Sequence, residues 1–141
     1  MDDRIQQQVR VGVGVMILKG GKVLLGLRTG SHGDGEWAFP GGHFEYMESF
    51  EDCSKRETLE ECGLEIQNIR FQLLANLRQY EPRHYVHVGL IADWKSGEPI
   101  VFEPEKCREW KWCDLNQLPE LFRASQFAIE AYKTGKNYFS D

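Results

Sequence analysis

Glu57, Glu60 and Glu61 stand close together in RETLEECGL, a crowding of carboxylates that calls for a physical reason. Ser49, followed three residues later by Asp52, has the form of a helix N-cap with an acid at the third helical position. Gly63 stands where a left-handed residue closes a helix, so these signals predict a helix over 50–62. At about 100° per residue the three glutamates fall within an arc of about 100°. Phe50, Cys53 and, one turn on, Leu64 fall in the same arc, so the acids are expected on the face that docks on the protein body. Carboxylates packed on an inward face repel one another and are costly to desolvate unless a cation joins them. Oxygen-only ligands suit a hard cation, Mg²⁺, or Mn²⁺ in its place. The helix reads as a metal platform.

The surrounding chain must hold that platform. Val9–Leu18 is a strand candidate interrupted by Gly12 and Gly14; these do not complete G-x-G-x-x-G, and no helix follows. Glycines inside a strand mark a bulge or a place where something comes close to the backbone. Lys19-Gly20-Gly21-Lys22 turns the chain into a second strand, Lys22–Leu27, which predicts a hairpin. Arg28–Glu36 is a glycine-rich loop expected to be mobile, and the polar stretch 1–8 is expected to be loose. Trp37-Ala38-Phe39 is a short apolar strand stopped by Pro40, and Gly41-Gly42 lets backbone approach a ligand or ion just ahead of the platform.

Beyond the helix, Ile66–Leu77 and His84–Trp94 are strand candidates, Gly97–Glu105 is a loop, and Glu109–Cys113 is a short strand with Trp110 and Trp112 on one face. Leu121–Thr134 carries apolar residues at helical spacing, with Gly135 as cap. Together these predict one α/β domain over residues 1–141, with helices on both sides of a mixed sheet.

Bulk properties narrow the function. The net charge is −5 and there is no basic block, so polymeric nucleic acid is not expected as a partner. A small anionic substrate remains compatible, because a bound dication reverses the local field. No apolar run is long enough to span a bilayer, and the start has no signal-peptide centre, so a cytosolic, membrane-free protein is expected. Cys53, Cys62, Cys107 and Cys113 form no C-x-x-C pair and read as structural thiols. His84 and His87 would point to opposite faces of a strand, against a two-histidine zinc site.

Gly42, five residues, Glu48, seven residues, then Arg56-Glu57-Thr58-Leu59-Glu60-Glu61-Cys62-Gly63-Leu64 resembles the Nudix box, G-x5-E-x7-R-E-U-x-E-E-x-G-U. Its one departure is Thr58 in the first aliphatic slot, a packing site. Seven fixed residues at roughly 5–7% usage each would match by chance on the order of once in 10⁸ windows. VLLGLRTGSHGDGEWAFPGGHFEYMES and EPEKCREWKW extend the resemblance to MutT-like nucleoside triphosphate diphosphatases, the branch with the thiopurine-nucleotide-hydrolysing enzyme.

That resemblance implies a Nudix fold, an α/β/α sandwich around a mixed sheet with the box as loop–helix–loop. It implies Mg²⁺-dependent hydrolysis of a nucleoside triphosphate or deoxynucleoside triphosphate, with modified purines among the candidates, to the monophosphate and pyrophosphate. It implies a metal held by Glu57, Glu60 and Glu61 with the Gly41 carbonyl, and Arg56 steadying a neighbouring glutamate, with Glu60 at i+4. Glu45 and Glu48 are accessory acids or loop-orienting ones. The general base is assigned to Glu57, with Glu103 or Glu105 as rivals, and Arg28 and Lys22 are candidate phosphate contacts. Gly12, Gly14, Phe44, Tyr85 and Trp110 are candidates to line the base slot. A homodimer is expected by analogy. Two other readings stay open: a hydrolase of ADP-ribose, nucleotide sugars or dinucleoside polyphosphates, and a nucleotide-sensing module without catalysis.

Overall fold

The structure is a computed structural model that describes residues 7–30 and 32–141. The polar start at 1–6 and Ser31, part of two segments expected to be loose, lie outside the described residues. Eight strands form one mixed sheet: β1 Arg10–Lys19, β2 Lys22–Arg28, β3 Trp37–Ala38, β4 Gly41–His43, β5 Glu65–Leu77, β6 Tyr85–Ser96, β7 Cys107–Asp114 and β8 Tyr138–Ser140. Two helices, α1 Phe50–Cys62 and α2 Arg123–Thr134, complete the described elements.

Strand β1 organises the sheet. On one side it runs parallel to β6 along nearly its whole length, Arg10 facing Tyr85 through Leu18 facing Asp93. On the other side it has two partners in turn. Its far end forms the predicted hairpin with β2, but only at Leu18–Val23 and Lys19–Lys22. Its near half pairs instead with β4, Gly12 with His43 and Gly14 with Gly41. Strand β2 swings away to pair with β3 and β7. The sheet therefore forks beside β1, and the Val15 amide donates to the Pro40 carbonyl at the crotch, at 2.9 Å.

Alternation along β1 divides the core into two layers. Val13, Val15 and Ile17 point to the face covered by α1, where they meet Cys53, Cys62 and Leu64. Met16 points to the other face, against Ile129 of α2. That puts one helix on each side of the sheet, the expected sandwich. Strand β4 and strand β8 are the two elements that the sequence reading did not contain. Trp110 and Trp112 do share a face, both packed against the α1-side core.

Candidate active site

Helix α1 runs over the predicted residues, with the Ser49 hydroxyl accepting from the Asp52 amide at 3.0 Å and Gly63 left-handed at φ 76°. Its inward face differs from the expected one. The buried positions are Cys53, Ser54, Thr58 and Cys62, small side chains that let the helix sit close on β1 and β5. Glu57 and Glu61 lie at one edge of that face, partly buried. Glu60 lies outside it, with its side chain 60% exposed, so the three acids do not turn inward together. The arc was right, but its centre belongs to Ser54 and Thr58.

The loop ahead of α1 is tied to the helix by Arg56. Its Nε and Nη2 donate to the two oxygens of Glu48 at 3.0 and 2.7 Å, and Nη1 donates to Glu57 at 2.7 Å. Glu60, the partner expected from the i+4 spacing, is farther at 3.3 Å, and Glu45 farther still at 3.6 Å. Nη2 also reaches the His43 carbonyl at 3.2 Å, which fastens β4 to the helix. The paired guanidinium holds the Glu48 carboxyl down to about 2, and Glu48 also accepts from the Glu45 amide. Glu48 is thus a structural anchor for the loop.

Strand β4 supplies the approach to the acids. A methyl group on Gly42 would run into the Glu57 carboxylate, and one on Gly41 into the Val13 carbonyl, so the two glycines let a side chain and a neighbouring strand, respectively, come close. The Gly41 amide points at Glu61 and donates to it at 3.4 Å. Burial, and then the charge of Glu57, push the Glu61 carboxyl up to about 8. Glu57 is also raised, by burial first, against the opposing pull of Arg56.

Among the described residues no three His, Cys, Asp or Glu side chains form a ready-made metal cage. The donor set nevertheless fits a divalent cation. Glu57 and Glu61 are one helical turn apart, both are partly buried, and the single long bond from Gly41 leaves Glu61 poorly compensated. A hard cation would satisfy both carboxylates, with the backbone of Gly41 beside them. Glu60 could join only from the solvent side.

Glu61 lines a cavity of about 510 Å³ at the fork of the sheet. Its walls come from both layers, Trp110 from the α1 side and Ala124 and Ala128 of α2 from the other. The walls include Gly12, Gly14, Phe39, Tyr85, His87 and Ser125. Arg28 lines it too, its guanidinium 4.2 Å above the Phe122 ring and hydrogen-bonded to His32. Among the described residues no carboxylate lies within ion-pairing distance of Arg28, and burial lowers its pKa.

Of the other candidates, Gly12, Gly14, Tyr85, Trp110, Glu103 and Glu105 line the cavity, with Glu103 paired to Lys106 at 3.1 Å. Phe44 does not. It packs on Phe50 at 4.6 Å and against the Val13, Cys53, Val88 and Leu90 cluster, on the α1 side of the sheet. Glu45 is exposed outside the cavity, and Lys22 sits at the distant hairpin facing Asp114. His84 precedes β6 and bonds Asn76, while His87 lies on the cavity wall; the four cysteines are free thiols. The sequence reading missed Phe39, His32, His87, Phe122 and Ser125, which come from four separate segments and carry no local signal.

Comparison with known proteins identifies the family. The chain is 32% identical over 111 residues to an oxidized purine nucleoside triphosphate hydrolase of Danio rerio, covering 74% of this chain and 66% of the relative. It is 29% identical over 132 residues to an NAD-capped RNA hydrolase, NudC, of Pseudomonas syringae pv. syringae, covering 92% and 46%. The chain thus spans less than two thirds of the length of these curated relatives. The crystal structure of a MutT NUDIX hydrolase from Burkholderia pseudomallei superposes with a TM-score of 0.82 at 32% identity, covering 88% of this chain and 98% of that one. The NUDIX domain model matches residues 8–134, and the chain belongs to the Nudix family as a MutT-like member.

Proposed function

We propose that this Nudix hydrolase, one domain over residues 1–141, converts a nucleoside or deoxynucleoside triphosphate, modified purines included, to the monophosphate and pyrophosphate. The observation that carries the reading is that Glu61, one helical turn from Glu57, lines a cavity shared with Arg28 and with aromatic and aliphatic side chains. Phosphates fit the charged mouth, and a base fits the walls of Phe39, Tyr85 and Leu77. The Danio rerio relative's activity on oxidized purine nucleoside triphosphates supports that substrate class.

The metal would be Mg²⁺, or Mn²⁺ in its place, held by Glu57 and Glu61 with Gly41, and with Glu60 from outside. When bound, such a cation neutralises phosphate charge and polarises the phosphorus under attack. The chain's own residues do the rest. Arg28 contacts the outer phosphate oxygens, Arg56 orients Glu57, and Glu57 takes the proton of the attacking water. Glu103, a rival base, is held by Lys106.

No helix among the described residues is long and apolar enough to cross a membrane. A cytosolic location is proposed from the four free cysteines. A homodimer is proposed on the family resemblance, to be checked by solution mass.

The test is a panel of nucleoside triphosphates, ADP-ribose and NAD incubated with Mg²⁺, with products resolved by chromatography. A nucleoside monophosphate and pyrophosphate are expected. Two monophosphates from ADP-ribose or NAD, with triphosphates untouched, would replace the reading. The NAD arm matters because the relatives named NudC act on NAD-capped RNA.

A further inference from the structure

Gly14 of β1 has its explanation in the imidazole of His87. A methyl group on Gly14 would lie 2.8 Å from its Cε1 and 3.0 Å from its Nε2. One on Gly12 would make ordinary contacts, 3.6 Å from Tyr85 and 4.0 Å from Nδ1 of the same imidazole. The ring therefore fills space that a side chain on Gly14 would take. What approaches the backbone closely here is first of all a side chain of the neighbouring strand.

That ring faces the cavity unpaired. His43 bonds the Tyr85 hydroxyl and His84 bonds Asn76, but among the described residues neither nitrogen of His87 has a hydrogen-bond partner. Phe39, Leu77, Ala124 and Ala128, which share the cavity walls, carry no polar side-chain atom. The Ser125 hydroxyl is already used as an acceptor by the Phe39 amide at 3.0 Å. Burial pushes the His87 imidazole down to about 4, so at neutral pH it offers one donor and one acceptor. A buried polar side chain without a partner in the protein is satisfied by water or by a ligand.

Register fixes where the ring stands relative to the charged mouth. His87 is level with Gly12 on β1, and Gly12 is level with His43 on β4. The ring stands over Gly14 on the α2 side of the sheet, whereas Glu57 and Glu61 reach β4 from α1 on the other side. With phosphates at the mouth, the base edge farthest from the sugar meets His87. In a purine this is the edge carrying N1 and the 6-substituent. The acids that line the cavity, Glu61, Glu103 and Glu105, come from α1 and the loop ahead of β7, and among the described residues no carboxylate is paired with His87.

Resting on the nucleotide-hydrolase reading, we propose that His87 reads the 6-position of a purine, as an uncharged group that donates to a 6-oxo or accepts from a 6-amino substituent. The selectivity is for having a polar 6-substituent, and not for which one.

The test is a cycle between substrate and side chain. Wild-type kcat/KM for inosine and adenosine triphosphates is expected to exceed that for purine riboside triphosphate, which lacks the 6-substituent, by about tenfold or more. In His87→Phe the advantage shrinks to within about twofold, because the interacting atom is gone from both sides of the cycle. His87→Asn, which keeps a donor and an acceptor, retains most of it. If His87→Phe does not fold, Gly14→Ala, whose new methyl displaces the ring, is expected to shrink the same advantage. An advantage that survives in His87→Phe or Gly14→Ala, is missing in the wild type, or is the same in the Asn and Phe variants overturns the inference. A wild type that hydrolyses none of the three triphosphates sinks only the parent reading. The cycle is then read from thermal shifts with inosine and purine riboside monophosphates, and an equal shift from both overturns the inference.

Discussion

Arg56 grips Glu48 at two points, Nε on one carboxylate oxygen at 3.0 Å and Nη2 on the other at 2.7 Å, and so locks the loop ahead of α1 onto the helix. Both side chains are less than a third exposed, 24% and 15%, so the pair is screened far less than a surface ion pair. The third nitrogen is thereby aimed at Glu57. One planar group sets both the entry to the helix and the orientation of Glu57.

Arg56→Lys keeps the charge and loses the fork. Urea unfolding is expected to show a loss of about 1–3 kcal/mol, with a fall in turnover because Glu57 is no longer oriented. Wild-type stability and turnover in this variant would show that a point charge suffices.

Adjacent glycines should fail in different ways. A methyl on Gly41 meets the Val13 carbonyl, which is backbone, so Gly41→Ala is expected to lower the melting temperature by disturbing the β1–β4 pairing. A methyl on Gly42 meets only the Glu57 carboxylate, which can swing aside. Gly42→Ala should therefore melt near the wild-type temperature and lose about 10²-fold in kcat, as expected for a displaced catalytic group. Equal melting losses in both variants would contradict the assignment.

The raised carboxyl of Glu61 makes metal-free stability depend on pH. Its folded value is about 8 against an ordinary 4.5, so between these the folded state holds a proton that the unfolded chain has released. Stability of the metal-free protein is expected to fall as pH rises from about 5 to about 8. Mg²⁺ should restore more of it at the upper end, since the cation needs the ionised form. Scanning fluorimetry with a chelator and with Mg²⁺ at both pH values checks the sign. In Glu61→Gln this part of the fall should vanish.

Arg28 lines the cavity, has no carboxylate partner among the described residues and is stacked on Phe122. Arg28→Ala is expected to raise KM by about tenfold or more, the loss of a charge-assisted phosphate contact, with a smaller effect on folding. Phe44→Leu, on the opposite side of the sheet, should do the reverse: lower stability with KM unchanged. Steady-state kinetics beside melting curves separates the two.

Much of this was legible in the sequence where the signal is local. Ser49 and Gly63 bounded α1 to the residue, because both caps are set by short-range hydrogen bonds and one left-handed angle. The sandwich followed from the order of the elements. Strand β4 was not legible, since Gly41-Gly42-His43 has poor strand propensity and is held in place by β1. Nor was the fork, which is a choice of partner by β1 that no local pattern records. Glu60 was misplaced for a related reason. Helical spacing gives angles between residues, but the direction of the core is set by which small residues, here Ser54 and Thr58, let the helix come close. His87 left no signal at its own position; the clue was Gly14 on the neighbouring strand, and what sits on it could be named only once β6 was known to run beside β1.

The most direct test of the account is Mg²⁺-dependent turnover of a nucleoside triphosphate by the Glu57→Gln/Glu61→Gln variant, measured beside circular dichroism to confirm folding. The account predicts a folded protein in which Mg²⁺ no longer supports release of pyrophosphate. A folded double variant that keeps wild-type, Mg²⁺-dependent activity would contradict it.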